Sequence, residues 1–359
     1  MKLLNKNRCL IVAEVSANHA KDLNTAFQLI KKAKESGADA VKFQTYTPDS
    51  LTIDVTNKYF RIKHPEWGGQ TLYQLYKKAY TPWDWFKKLK KKTDNLGILF
   101  FSTAFDKKAV DLLEELDVPV HKISSFELVD LSLVEYAAKT KKPLILSTGM
   151  ASISDIKNAV NIAKRAGAKE IVLLACISSY PAKAEDMRLK KIEDMKKRFK
   201  LHVGISDHTL DARVSILAAS LGASLIEKHF TLSRKMKTPD SFFSIEPEEL
   251  KSLVEKVKVT KKGLGPKELK SLVKDLGLPK KVLGKASYSM TKDEKKSLVF
   301  RRSLFVVKDI KKGESFTEEN VRSIRPSYGI KPKHIDKIIG KVSRKDIKLG
   351  TPLSWDFID

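Results

Sequence analysis

Two short segments decide the fold: V-G-I-S-D-H-T (203–209) and I-E-K-H-F-T (226–231). Each is an apolar, β-branched run that breaks into a polar cluster holding one histidine, His208 and His229. That is the pattern of neighbouring strands in a parallel sheet whose C-terminal ends carry chemistry. A single histidine beside a core needs no ligand, because one hydrogen bond satisfies it. Ser206, Asp207, Glu227 and Lys228 crowd the same strand ends, however, and packing alone does not ask for so many polar groups. Two imidazoles delivered to one rim make a possible metal site.

Working outward, the same strand-then-helix unit repeats. Apolar runs at 9–15, 38–44, 98–102, 118–123, 143–147 and 171–176 precede those at 201–205 and 223–227, giving eight strands. Amphipathic spacing predicts helices at 24–36, 72–79, 83–93, 107–116 and 131–140, another from Ser152 or Ser154 to Gly167, and a closing helix at 247–260. Eight such alternations in about 260 residues fit a (β/α)8 TIM barrel better than an open doubly wound sheet. The domain reading is a barrel over 1–280, a glycine-, proline- and lysine-punctuated linker over 281–297, and a compact domain over 298–359. The last contains a faint repeat, D-I-K-K-G (309–313) and D-I-K-L-G (346–350). At about sixty residues it is near the size that needs a neighbour for stability.

Of the 359 residues, 42% are hydrophobic, enough for a substantial core. No apolar run reaches the roughly 18 residues of a membrane span, and the first residues lack the apolar segment of a secretory leader. A cytoplasmic protein is expected, with Cys9 and Cys176 as buried reduced thiols. The net charge of +26 raises nucleic acid as a partner. The lysines alternate with apolar residues along helices, as solvated faces do, and no nucleic-acid-binding signature is present.

In a barrel the active site collects the strand ends. They supply Glu14, Lys42, Gln44 and Thr103 from the first three strands, and Lys122, Ser125 and Glu127 from the fourth. Ser147 and Thr148 follow from the fifth, Ser178 and Tyr180 from the sixth, Ser206 and His208 from the seventh, and His229 from the eighth. Two lysines and several hydroxyls converging on one cavity suit a phosphate-bearing substrate, since charged donors must replace the water it gives up. Gly149 and Gly167 read as turn and cap glycines, and Trp67, Trp83 and Trp85 as packing residues.

The succession A-E-V-S-A-N-H (13–19), V-K-F-Q-T-Y-T-P-D (41–49), F-S-T-A-F-D (101–106), K-I-S-S-F-E (122–127), S-T-G-M (147–150), S-S-Y-P (178–181), G-I-S-D-H-T (204–209), E-K-H-F-T (227–231) and P-D-S-F-F-S (239–244) resembles the sialic acid synthase family. Within it, Q-T-Y-T-P-D, W-G-G-Q-T-L-Y-Q-L-Y-K-K-A-Y-T-P-W-D-W (67–85) and S-S-F-E-L-V-D look most like the branch making pseudaminic acid. The resemblance implies a transferase that condenses phosphoenolpyruvate with an N-acylated amino sugar, here 2,4-diacetamido-2,4,6-trideoxy-L-altrose, and releases phosphate. N-acetylneuraminate or legionaminic acid synthesis is the alternative within the family. It further implies that His208 and His229 hold a divalent cation, Mn²⁺ with Mg²⁺ or Co²⁺ as alternatives, and that Glu14 handles the attacking water. Lys42, Thr103, Lys122, Ser125, Ser147, Ser178 and Ser206 would bind phosphoenolpyruvate; Gln44, Glu127, Tyr180, Asp240 and Arg325 would address the sugar. The C-terminal domain resembles the antifreeze-like SAF domain, and a homodimer is implied in which Arg325 reaches the partner's barrel. The contrasting expectation, a basic polyanion-binding protein, requires steeply salt-dependent binding to DNA or heparin and no turnover.

Overall fold

A computed structural model describes residues 4, 8–64 and 66–359; 1–3 and 5–7, on which the leader reading partly rests, lie outside the described residues. Eight parallel strands close into a barrel in sequence order, β1 pairing with β8. They are β1 Leu10–Glu14, β2 Ala40–Thr45, β3 Leu99–Ala104, β4 His121–Ile123, β5 Leu144–Ser147, β6 Ile171–Cys176, β7 His202–Asp207 and β8 Leu225–His229. The expected (β/α)8 barrel is therefore present, with two differences of length. β4 is only three residues long, since Pro119 has no N–H to give a neighbouring strand. β3, β7 and β8 each run two residues beyond the expected end, which carries the last two to the histidines.

Three helices of eight or more residues escaped the periodicity, among them Pro266–Asp275, which buries only Leu269 and Val273. Arg213–Ser220 has seven consecutive buried residues after Arg213, so it has no apolar stripe against a polar face. Lys191–Phe199 is dominated by charged residues around a few buried ones. The helix Ile153–Ala166 starts and stops as its signals require: Ser152 accepts from the N–H of Asp155, and Gly167 closes it at φ 100°, where a glycine carries no Cβ penalty. The main core lies between strands and outer helices. A smaller one, including Val12, Phe101, Ile145 and Leu225, fills the barrel below the pocket.

The C-terminal unit pairs β9 Ser303–Val306 with β10 Val321–Ile324 in antiparallel register. Its two repeats face one another. Ile310 bridges Ile347, the Asp309 carboxylate accepts from the Leu349 N–H (2.8 Å), and Asp346 accepts from the Lys312 N–H (2.9 Å). The unit leans on the barrel mouth as its small size demands: Phe300, Phe305 and Ile324 join Tyr46, Phe60, Tyr76, Phe105 and Phe126 in one cluster, with Phe60 and Phe305 ring centroids 5.2 Å apart. No helix among the described residues is long and apolar enough to cross a membrane. Both cysteines are free and buried.

Candidate active site

Because side chains alternate along a strand, every second residue near a C-terminal strand end projects into the barrel. Glu14, Lys42, Gln44, Thr103, Lys122, Ser147, Cys176, Ser206, Glu227 and His229 arrive in this way. They line a cavity of about 960 Å³, open mouth included, which β-strand-following loops and the C-terminal unit complete. Asp207 and Lys228 have the opposite parity. They pair with each other outside the barrel (3.2 Å), with Ser215 on the Asp207 carboxylate (2.6 Å) and Lys228 donating to the Thr209 carbonyl (2.6 Å). Two of the three charged residues in the two decisive segments thus brace strand against helix.

On the cavity floor Lys42 Nζ lies 2.7 Å from the Glu14 carboxylate and donates to Thr103 Oγ1 (2.9 Å). Glu227 stands between Lys42 (3.7 Å) and Lys122 (3.8 Å) and accepts from Ser206 (3.1 Å). Two ammonium groups balanced by two carboxylates satisfy the requirement that buried charges be paired. Burial works against the charged form of Glu227, but Lys122 and Lys42 outweigh it and hold the carboxyl down. Burial pushes Lys122 down. Burial also pushes Glu14 up, with the charge of Glu227 adding to it against Lys42, to about 7. Gln44 donates to Glu14 (2.8 Å) and to Ser16 (2.7 Å), and Ser16 donates to Asp240.

His208 and His229 stand with ring centroids 5.4 Å apart, between Tyr180 (4.4 Å from His208) and Phe243 (4.7 Å from His229). The His208 Nδ1–H donates to the Ile177 carbonyl (2.9 Å), which directs Nε2 toward Ser206. Burial and then the charge of His208 hold His229 well below the ordinary histidine range. His229 Nδ1, Ser147 Oγ and Glu227 Oε2 are buried and make no hydrogen bond within the protein, although each residue lines the cavity. Groups of this kind are costly unless a ligand satisfies them. The described residues include no cluster of three or more His, Cys, Asp or Glu arranged for a metal. What the two imidazoles offer a cation is at most a pair of protein ligands, with His229 Nδ1 the one left without a hydrogen bond.

Thirteen of the sixteen residues expected at the site line the cavity; Glu127, Ser178 and Thr148 do not, and the Thr148 hydroxyl donates instead to the Leu174 carbonyl (2.9 Å). Glu127 is fully buried beneath Arg325, with one carboxylate oxygen 2.8 Å from Arg325 Nη2 and 3.3 Å from Arg302 Nε. Burial opposes its ionisation, but Arg325 and Arg302 outweigh that and hold it below the usual range. The assignment of Glu127 to the sugar is corrected accordingly: its carboxylate is consumed in holding arginines. Ser178 lies behind Gly149, where a Cβ would overlap its Oγ and come within 2.9 Å of Ser125 Oγ. The Gly149 N–H donates to that same Ser125 (3.0 Å), so the glycine is part of the site and not an ordinary turn residue. Trp67, read as packing, also lines the cavity and donates to the Pro239 carbonyl (2.9 Å). Arg325 enters the pocket of its own chain, under the aromatic cover of Phe126, Phe105 and Tyr76. Within this one chain the C-terminal unit folds back over the barrel it follows.

Glu227, Cys176, Ser16 and Arg302 were missed. Strand parity identifies the first two, because Glu227 sits two residues before His229 and Cys176 ends β6. Arg302 and Ser16 carry no local signal.

Residues 29–276 match the NeuB family and residues 301–359 the SAF domain. The chain is 42% identical to a pseudaminic acid synthase of Helicobacter pylori over 97% of both chains. It is 37% identical to an N,N'-diacetyllegionaminic acid synthase of Campylobacter jejuni, over 95% of this chain and 97% of that one. Among solved structures it resembles the spore coat polysaccharide biosynthesis protein spsE of Bacillus subtilis, with TM-score 0.81, 30% identity, and 99% and 97% of the two chains covered. It also resembles an N-acetylneuraminic acid synthetase of Leptospira borgpetersenii, with TM-score 0.64, 31% identity, and coverage of 82% and 91%. By the extent of these matches, and by a closed barrel whose strand ends carry the paired lysines and histidines, the chain belongs to the NeuB family.

Proposed function

We propose that the protein is a pseudaminic acid synthase, a transferase joining phosphoenolpyruvate to 2,4-diacetamido-2,4,6-trideoxy-L-altrose with release of phosphate. One observation carries the reading: Lys42 and Lys122 share the carboxylate of Glu227 on a floor ringed by hydroxyls, beneath two imidazoles. Ammonium groups held this way stand ready to pair with the phosphate and carboxylate of the substrate.

In this reading Lys42, Lys122, Thr103, Ser125, Ser147 and Ser206 bind phosphoenolpyruvate, and Ser178 supports them from behind Gly149. Gln44, Tyr180, Asp240 and Arg325 orient the open-chain sugar, with Glu127 acting through Arg325. C3 of the enol phosphate bonds to the sugar aldehyde carbon, water adds at C2, and the C2–O bond breaks to release phosphate. Glu14, poised near neutrality, takes a proton from that water. A divalent cation held by His208 and His229, Mn²⁺ in this reading with Mg²⁺ or Co²⁺ as alternatives, would supply Lewis-acid polarisation of the aldehyde oxygen. The residues around it place the enol phosphate, exclude bulk water and stabilise the charge that develops.

The sugar follows from likeness: identity to pseudaminic acid synthases is 41–42%, against 36–37% for legionaminic acid synthases. A homodimer belongs to the same reading, with the C-terminal unit of one protomer over the barrel of its partner. Sedimentation of a species twice the mass of one chain is the expected result. The function is tested by phosphate release from phosphoenolpyruvate with each candidate sugar. Turnover with the altrose derivative is expected; release with N-acetylmannosamine alone would overturn the choice.

A further inference from the structure

The segment joining the two domains does more than connect them. Its short helix Lys292–Ser297 opens at Thr291, and Glu294 closes a capping box there, its Oε2 accepting from the Thr291 N–H (3.1 Å). A capping glutamate is ordinarily exposed. Glu294 is 2% exposed, and its second oxygen is turned toward the barrel. That oxygen, Oε1, accepts from the Met150 N–H (3.2 Å) and from the Ser178 N–H (3.1 Å). The two amides belong to the loops that follow β5 and β6.

Both loops carry the hydroxyl wall of the cavity. Ser147 ends β5, Gly149 donates to Ser125, and the absence of a Cβ at Gly149 admits Ser178. Met150 holds a left-handed conformation, φ 59°, which a side chain disfavours and which must be held from outside. Glu294 grips its N–H, and Arg301 grips its carbonyl with Nη2 at 2.7 Å. The peptide groups flanking Met150 are thus held by one residue inside the short helix and one just beyond its end, more than 140 positions along the chain.

We propose that Glu294 is a positioning residue for the anionic substrate. Its carboxylate ties the β5 and β6 loops together, and through them sets the hydroxyls that receive the enol phosphate. The inference rests on the synthase reading for the identity of the ligand, but the anchor itself does not. An anchor of this kind acts on ground-state binding of the anion and largely spares the sugar side, because Glu294 touches neither Arg325 nor Asp240, and the Tyr180 ring on the β6 loop is held by its own contacts with His208 and Phe243. It also has a definite chemical requirement, an acceptor oxygen at the end of a two-methylene arm.

The full chain is compared with its Glu294→Ala, Glu294→Asp and Glu294→Gln variants. Direct titration with phosphoenolpyruvate and steady-state KM for each substrate are measured beside amide hydrogen exchange without ligand. Loss of the oxygen that accepts from two amides predicts a phosphoenolpyruvate Kd and KM at least about tenfold higher in the alanine variant. The sugar KM should change little, and exchange should accelerate in the peptides spanning 147–151 and 177–180. The glutamine variant, which keeps Oε1, should stay within about threefold of wild type. If the alanine variant does not fold, the aspartate variant, whose carboxylate is withdrawn from the amides, is read for the same effects. Unchanged phosphoenolpyruvate affinity and loop protection in the alanine or aspartate variant would overturn the proposal, as would deprotection spread evenly over the barrel. A wild type that does not bind phosphoenolpyruvate would sink the synthase reading instead, and exchange alone would then decide whether Glu294 anchors the two loops.

Discussion

Arg325 of the C-terminal unit meets Glu127 of the barrel at 2.8 Å, at a point where both side chains are almost wholly shielded from water. Arg302 binds the same carboxylate oxygen and donates to the carbonyls of Phe105 (2.6 Å) and Ser323 (2.7 Å). A buried carboxylate between two guanidinium groups is strongly held, and removing one partner strands the others. Glu127→Ala is expected to lose about 3–5 kcal/mol in denaturant unfolding, with loss of turnover, because Arg325 is no longer aimed. Arg325→Lys, which cannot reproduce the planar fork, should raise the sugar KM while leaving phosphoenolpyruvate binding near wild type.

The same pair sets an acid limit. Glu127 titrates below an unfolded glutamate, so its stabilisation is fully present above about pH 4.3 and is lost as the pH falls through the folded value. Unfolding free energy measured on acidification should drop less steeply in Glu127→Gln than in wild type, although the variant is less stable at neutral pH.

Gly149 has no room for a methyl group. Gly149→Ala would press its Cβ into the Ser178 and Ser125 hydroxyls, and overpacking of this kind costs about 1–3 kcal/mol. Titration with phosphoenolpyruvate should show weakened binding; an alanine variant with unaltered affinity would remove these hydroxyls from the anion site.

Burial and Glu227 raise Glu14 to about 7, against the pull of Lys42. Its base form therefore grows as the pH rises through about 7. The pH profile of kcat should climb across that interval in wild type, and Glu14→Gln should remove the climb together with most of the rate. A profile unaltered in shape by the substitution would take the proton-transfer role from Glu14.

A cation with two protein ligands is held weakly and removed easily. Chelation should abolish turnover, and added Mn²⁺ should restore it. In His229→Ala, kcat should fall by at least about a hundredfold without full restoration by metal, while phosphoenolpyruvate still binds to the lysines.

Much of this site is readable in the chain because a parallel barrel turns position into parity. Glu14, Lys42, Thr103, Lys122 and His229 end apolar runs, and alternate residues of such runs must face inward. Parity would also have placed Glu227 inside and Lys228 outside; reading both as parts of one polar cluster hid the difference. What stayed hidden depends on distant closure. Arg302 and Glu294 reach the site only because the chain beyond the barrel packs back over the mouth, across 116 to 175 positions, and the tight approach of Ser178 to Gly149 joins loops of two different strands. The helix Arg213–Ser220 was unreadable for a different reason, being buried on every face.

The most direct test of the synthase account follows the bridging oxygen of phosphoenolpyruvate. With that atom labelled by ¹⁸O and the altrose derivative and Mn²⁺ present, mass spectrometry should find the label wholly in the released phosphate and none in the sugar acid. Label retained in the sugar acid, or no phosphate released with any amino sugar, would contradict it.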